Sequence, residues 1–206
     1  MDEEWRELGR TTVPDTLLRV AKGTVELLGT VDSAQRKLSA FIHVVLSLQR
    51  GDADAINWDD VREQPNAGTM LDDAHGELVR LRELHHMASQ VFVLYGTRLQ
   101  MPGLDVDSGP LWQTWQGHSG ETFGHALRAL QSLRSAASHV RASRDALLMA
   151  RSLLRLSPDD WAAWVSAALN LWRRATWEAT KAMVSARRMR DAVTVELEDV
   201  WRVLNR

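Results

Sequence analysis

In residues 17–48 the chain reads LLRVAKGTVELLGTVDSAQRKLSAFIHVVLSL. Apolar or small residues recur in this stretch at alternating steps of three and four. Only an α-helix places such residues on one stripe, and a stripe of this length has to be buried against other helices. The stretch therefore predicts one long helix of a helical bundle, with its buried stripe formed by Leu17, Val20, Thr24, Leu27, Val31, Ala34, Leu38, Phe41, Val45 and Leu48.

Three later segments show the same spacing. The second stripe runs from Leu71 to Tyr95, the third runs from Phe123 to Leu154, and the fourth runs from Trp172 to Leu204. Between the last two stripes, residues 157–160 read Ser-Pro-Asp-Asp, a cap residue followed by a proline and two carboxylates that suit a helix start. The gap between these helices is short enough to predict an antiparallel hairpin. Together the four stripes predict an all-α fold, an elongated antiparallel bundle of four long helices.

The expected domain organisation is a single helical-bundle domain over residues 1–206. Residues 1–13 are expected to form an N-terminal arm, and residues 51–68 and 97–119, which are rich in glycine, proline and acidic or amide residues, are expected to be loops. Thr69 is expected to cap the second helix. Gly23 and Gly29 lie inside the first helix, where each favours either local thinning of the helix or a close contact with another helix.

The composition limits the classes of protein to which the chain can belong. Cysteine is absent, which excludes disulfides and thiolate metal sites. The N-terminus is acidic and has no apolar core of a Sec signal, and no apolar run reaches the roughly 20 residues that span a bilayer. We therefore expect a protein without a membrane span that is cytoplasmic, or exported without a Sec signal.

The sequence does not assemble an active site, so no catalytic, cofactor-binding or metal-binding residue and no cofactor are expected. Glu83 and His86 have the Glu-x-x-His spacing of di-iron bundles, but a second such motif is missing and both residues fall outside the apolar stripe. Residues 52–63 share several positions with a calcium loop, but Ile56 and Asn57 replace an oxygen ligand and the required glycine. The chain is therefore expected not to be an enzyme.

His85 occupies a stripe position in an otherwise apolar row. One interpretation is a core histidine that is hydrogen-bonded to a carbonyl or hydroxyl group, or that is wetted at the end of the stripe. The alternative is a pH-sensitive packing element, because a proton on a buried imidazole would disrupt the core.

Arginine and tryptophan side chains suggest surface contacts. Five arginines fall within about a third of the circumference of the third helix: Arg134, Arg141, Arg144, Arg151 and Arg155. Their stems could cover the edge of the apolar stripe, or their guanidinium groups could contact an acidic protein surface or phosphates. Trp177, on a different side of the fourth helix from the other tryptophans, is a candidate for partner contact.

The charge is distributed unevenly along the chain. Residues 1–117 carry 11 Lys and Arg against 18 Asp and Glu, a balance of −7, whereas residues 118–206 carry 14 against 9, a balance of +5. The acidic half and the basic half can pair with each other inside a bundle or across a dimer. The basic half can also bind nucleic acid.

Between the second and third helices the chain contains Trp115-Gln116-Gly117, and Phe123 follows six positions after the glycine. This arrangement resembles the WXG family of ESX (type VII) secretion substrates, and the sequence GETFGHALRALQSLRSAASHVRASRDALLMA is similar to the second helix of that family. The resemblance covers residues 70–155. It implies a helical hairpin in which Gly117 permits the reversal, Trp115 packs over the turn, and the protein is exported and acts through protein contacts.

Two functions are therefore expected from the sequence. The first is a non-enzymatic helical scaffold or adaptor, or a secreted WXG-like interaction protein, whose partner is a second copy in a homodimer or another helical protein. The alternative is a nucleic-acid-binding helical subunit of a larger complex.

Overall fold

The computed structural model describes residues 11–50, 58, 61, 65–98, 110–154 and 156–204. These residues form four long helices: α1 (Val13–Gln49), α2 (Pro65–Arg98), α3 (Pro110–Leu153) and α4 (Pro158–Leu204). Across these ranges there is no β-strand, and the all-α bundle expected from the four stripes is confirmed. None of the four helices contains a stretch apolar enough to cross a membrane. Most of the expected N-terminal arm, residues 1–13, lies outside the described residues.

Proline marks the start of every helix. α2, α3 and α4 each begin at a proline, and α1 begins one residue before Pro14. Proline suits the first turn because its fixed backbone angle is already helical and its missing N–H has no partner there. The predicted loops over residues 51–68 and 97–119 were therefore too long, and Thr69 lies inside α2 instead of capping it.

The chain divides into two compact units, and each contains a segment of all four helices. The first unit comprises the described residues of Met1–Leu28, Glu77–Ala129 and Val184–Arg206. The second unit comprises the described residues of Gly29–Gly76 and Leu130–Met183.

Within the first unit, α2 and α3 run antiparallel. Between α2 and α3, Ser89 Oγ lies 3.0 Å from Ser119 Oγ, and the ring of Phe92 lies 4.8 Å from that of Trp115. The residue numbers therefore rise on one helix as they fall on the other. The contacts of α3 with α4, described below, follow the same antiparallel order.

In the second unit a buried tryptophan joins α1 to α4. The indole Nε1 of Trp172 donates a hydrogen bond of 2.8 Å to the carbonyl oxygen of Leu38, and its ring lies 4.6 Å from that of Phe41. Ser143 Oγ on α3 donates a 2.9 Å hydrogen bond to the carbonyl oxygen of Ala168 on α4. Each of these two buried donors has a backbone carbonyl oxygen as its acceptor. The two hydrogen bonds hold α4 close to α1 and to α3.

The two glycines inside α1 have different surroundings. A Cβ added at Gly23 would lie 2.5 Å from Cδ2 of Leu81 on α2, so this glycine makes the expected close contact with another helix. A Cβ added at Gly29 would meet no atom within 4 Å. Of the two roles expected for Gly29, the close contact with another helix is therefore not found.

The predicted stripes agree with the buried residues in α1 and α2, and differ from them in part of α3 and α4. All ten stripe residues of α1 are buried, and so are all stripe residues of α2, including His85. In α3, however, Phe123 and Leu127 are 40% and 43% exposed, and three smaller residues occupy the core instead: Thr122, Ala126 and Ala129. In α4, Leu197 is half-buried, while two acidic residues are buried: Glu196 and Asp199.

Candidate functional site: a buried polar network in the first unit

A histidine and a carboxylate meet in the core of the first unit. His85 Nε2 on α2 lies 2.8 Å from Glu196 Oε2 on α4, and the two side chains are 3% and 0% exposed. The imidazole N–H donates to the carboxylate oxygen, since a carboxylate only accepts. Of the interpretations that the sequence left open for His85, the carbonyl or hydroxyl partner and the wetted stripe end are wrong, because His85 is buried and its partner is a carboxylate from another helix. The pH-sensitive role stays a prediction.

Thr122 brings α3 into this contact. Its hydroxyl lies 3.0 Å from the carbonyl oxygen of His118 and 3.3 Å from Glu196 Oε2. The second oxygen, Oε1 of Glu196, is buried without a hydrogen-bond partner. A buried carboxylate is costly unless it is paired, so the hydrogen bonds to Oε2 carry its stabilisation.

A second histidine–carboxylate pair lies about one turn away along α4. His118 Nδ1 on α3 lies 2.6 Å from Asp199 Oδ2, and Asp199 is 1% exposed while His118 is 29% exposed. Arg202 Nη1 donates a 3.1 Å hydrogen bond to the other oxygen, Asp199 Oδ1. This pair connects the buried network to the surface.

The geometry of the network indicates a role in fixing the helices. Two carboxylates on one face of α4 each meet a histidine on a different helix, so rotation or sliding of α4 would leave buried charges unpaired. Breaking such a pair is strongly destabilising, whereas mispacked apolar residues can often adjust. Among the described residues no group of three or more His, Asp or Glu side chains is placed to hold a metal ion.

The predicted hairpin residues lie beside this network. Trp115 is buried in an aromatic cluster with Trp112 and Phe92, with ring centroids 4.8 to 5.7 Å apart. Gly117 is helical and exposed, and a Cβ added there would meet no atom within 4 Å. Trp115 and Gly117 are therefore part of α3, and neither forms a turn.

The predicted arginine face is divided among several partners. Arg141 Nη1 lies 2.5 Å from Asp72 Oδ2 on α2, and Arg144 donates to its neighbour Asp145. Arg151 lies 5.5 Å over the ring of Trp58. Arg134 is exposed, and Arg155 lies outside the described residues.

Trp177, the predicted partner-contact residue, is 63% exposed on α4. Of the residues considered for a di-iron site, His86 Nε2 lies 3.0 Å from Gln90 Nε2 on the surface of α2. Most of the calcium-like loop, residues 52–63, lies outside the described residues.

Sequence reasoning missed Glu196 and Asp199. The available signal was their spacing of three residues between Val193 and Val200, which places both carboxylates beside the apolar stripe of α4. Acidic residues beside an apolar stripe are usually exposed to solvent. The burial of these two could have been inferred only from His85, the histidine within the apolar stripe of another helix.

The comparisons with known proteins found no match: no protein-family model, no curated protein and no solved structure is similar to this chain.

Proposed function

We propose that the protein is a non-enzymatic interaction protein whose helical surface binds a second copy of the same chain. Trp177 is the observation that carries this proposal. Its indole ring, on the second unit, is 63% exposed. A large exposed aromatic side chain is a typical centre of protein contacts, since its burial removes much apolar surface from water at little conformational cost.

Charge complementarity favours a second copy as the partner. The chain's first 117 residues have a balance of −7 and the remainder a balance of +5. A two-fold symmetric dimer presents the same surface twice, so an acidic half can meet the basic half of the other copy in both contacts.

The arginine contacts also favour a protein partner over nucleic acid. Arg141 and Arg144 already bind aspartates, and Arg151 lies over an aromatic ring. The basic face therefore accommodates carboxylates at close range. Nucleic acid binding through this face would require phosphates to displace them, and it would weaken steeply as salt is raised.

The proposal is tested by measuring the mass of the protein in solution. Light scattering over a dilution series should give twice the chain mass of 23.2 kDa at micromolar concentration. Trp177→Ala should shift the protein towards the monomer, because it removes the exposed ring without opening the core. Trp164→Ala is the matched control, since Trp164 is also exposed on α4 but lies on a different side of the helix.

A mass equal to one chain at every concentration would contradict the proposed self-association. An unchanged dimer in the Trp177→Ala variant would remove Trp177 from the interface.

The resemblance to WXG proteins stays a prediction. It implies export, which is tested by comparing the amount of the protein in the culture medium of the native host with and without its secretion ATPase.

A further inference from the structure

Three basic residues lie on the segments of α3 and α4 that belong to the first unit. His125 and Arg128 come from α3, and Arg188 comes from α4. The contacts of Thr122 with Glu196 and of His118 with Asp199 define the antiparallel register of these helices. In that register Arg188 reaches nearly the level of Arg128 along the helix pair.

The guanidinium group of Arg128 folds back along its own helix. Its Nη2 donates a hydrogen bond of 2.9 Å to Nδ1 of His125. The two terminal nitrogens lie 3.7 and 3.9 Å from where a Cβ of residue 124 would be, so the guanidinium group packs along the backbone of α3 beside Gly124. Since Nδ1 accepts this hydrogen bond, the imidazole is neutral in this arrangement.

The pKa of His125 is lowered by groups on both helices. Burial lowers the pKa of His125 below its ordinary value of 6.5, and the positive charges of Arg128 and Arg188 lower the pKa further. Glu121, on the same helix, acts in the opposite direction. Two cationic groups from different helices therefore act on one imidazole.

No carboxylate pairs with Arg128 or Arg188 anywhere in the described ranges, whereas Arg141, Arg190 and Arg202 each have an acidic partner within 4 Å. Two like charges held near each other without a counterion repel. An anion placed between them would relieve this repulsion and accept hydrogen bonds from both guanidinium groups.

We propose that His125, Arg128 and Arg188 form a binding site for one oxyanion of the phosphate class. The planar guanidinium group matches the geometry of phosphate oxygens and binds them through two parallel hydrogen bonds. In the neutral ring of His125, Nε2–H is already a donor. A proton taken up at Nδ1 replaces the hydrogen bond from Arg128 and adds a second N–H, and the bound anion favours that charged form. Binding at this site is therefore coupled to proton uptake by His125.

The free phosphate ion and a phosphodiester group of nucleic acid offer the same oxygen acceptors. Three basic groups in one small area fit a single phosphate, so the free ion is the first probe. A short single-stranded oligodeoxynucleotide is the second probe, and it shows whether the anion can belong to a polymer.

The experiment follows the imidazole of His125 by nuclear magnetic resonance in the full chain. Its pKa is measured in inorganic phosphate and in chloride at the same ionic strength. Phosphate should raise the pKa of His125 by about 1, because an opposite charge within hydrogen-bond range typically shifts a pKa by one or more. The effect should saturate with phosphate concentration, and the oligodeoxynucleotide should reproduce it if a polymer can supply the anion.

Arg128→Gln and Arg188→Gln should each abolish the difference between phosphate and chloride. Arg19→Gln, an exposed position on α1, is the matched control and should keep it. The site is disproved if the pKa of His125 is the same in phosphate, oligodeoxynucleotide and chloride, or if the increase survives the Arg188→Gln substitution.

Discussion

Gly117 illustrates how the environment of a residue decides its role. The resemblance to WXG proteins implies that Gly117 permits a chain reversal, but the residue lies inside α3 with open space where a Cβ would be. Glycine in the interior of a helix is less stable than alanine because it loses more backbone freedom on folding.

Gly117→Ala should therefore increase the free energy of unfolding by about 0.5–1 kcal/mol. Gly23→Ala is the contrasting variant, since its Cβ would lie 2.5 Å from Cδ2 of the buried Leu81. Leu81 has to shift to accept the new methyl group, so this variant should be less stable than the parent. Urea unfolding measures both, and a destabilised Gly117→Ala variant would restore a structural role for that glycine.

His125 gives a prediction on pH dependence. Its pKa in the folded protein is below 6.5 because of burial and of the charges of Arg128 and Arg188. As the pH falls below about 6.5, the unfolded chain therefore takes up this proton before the folded protein does, and the free energy of unfolding decreases. Above that pH the histidine is neutral in both states and its contribution is constant.

His125→Gln should make the loss of stability at acidic pH smaller. The measurement is urea unfolding of parent and variant at about pH 7.5 and about pH 5.5. The parent should lose more stability between these two conditions than the variant. Equal losses would mean that His125 titrates alike in the folded and unfolded states.

At the scale of the helices, the pair of His85 and Glu196 joins α2 to α4 in the first unit. Either single substitution, His85→Leu or Glu196→Leu, leaves a buried polar group without its partner. Each should lower the free energy of unfolding by roughly 3–5 kcal/mol. The double variant replaces both groups by apolar side chains and should lie much closer to the parent than the sum of the two losses.

Urea unfolding of the parent, the two single variants and the double variant gives the coupling energy of the pair. The hydroxyl of Thr122 also contacts Glu196, so Thr122→Val measures the share of that hydroxyl separately. Additive losses in the double variant would show that His85 and Glu196 contribute independently and that the 2.8 Å contact carries no coupling.

At the scale of the whole molecule, the opposite charges of the two chain halves are expected to strengthen the proposed dimer. Raising the salt concentration screens charges that are exposed to solvent, so the dimer should dissociate more readily at about 0.5 M salt than at about 0.05 M. Sedimentation at both salt concentrations measures this. A dimer that is stronger at high salt would instead be held mainly by apolar contact, with Trp177 as the first residue to substitute.

The amino-acid pattern determined the helices and the buried faces of the first two. Every stripe residue of α1 and α2 is buried, because a long three-four alternation leaves only one face that can be removed from water. The starts of α2 and α3 could also have been derived more closely from Pro65 and Pro110, which begin these helices as Pro158 begins α4.

The rotation of α3 and the polar interior of α4 were decided only by the tertiary structure. Phe123 and Leu127 are apolar enough for the core, yet the packing of Trp115 on Phe92 and the bond of Thr122 to Glu196 turn the small residues inwards. Glu196 and Asp199 are buried because histidines on two other helices bind them. The hydrophobic pattern of one helix cannot predict the burial of these carboxylates, since the histidine that stabilises each of them lies far away in the sequence.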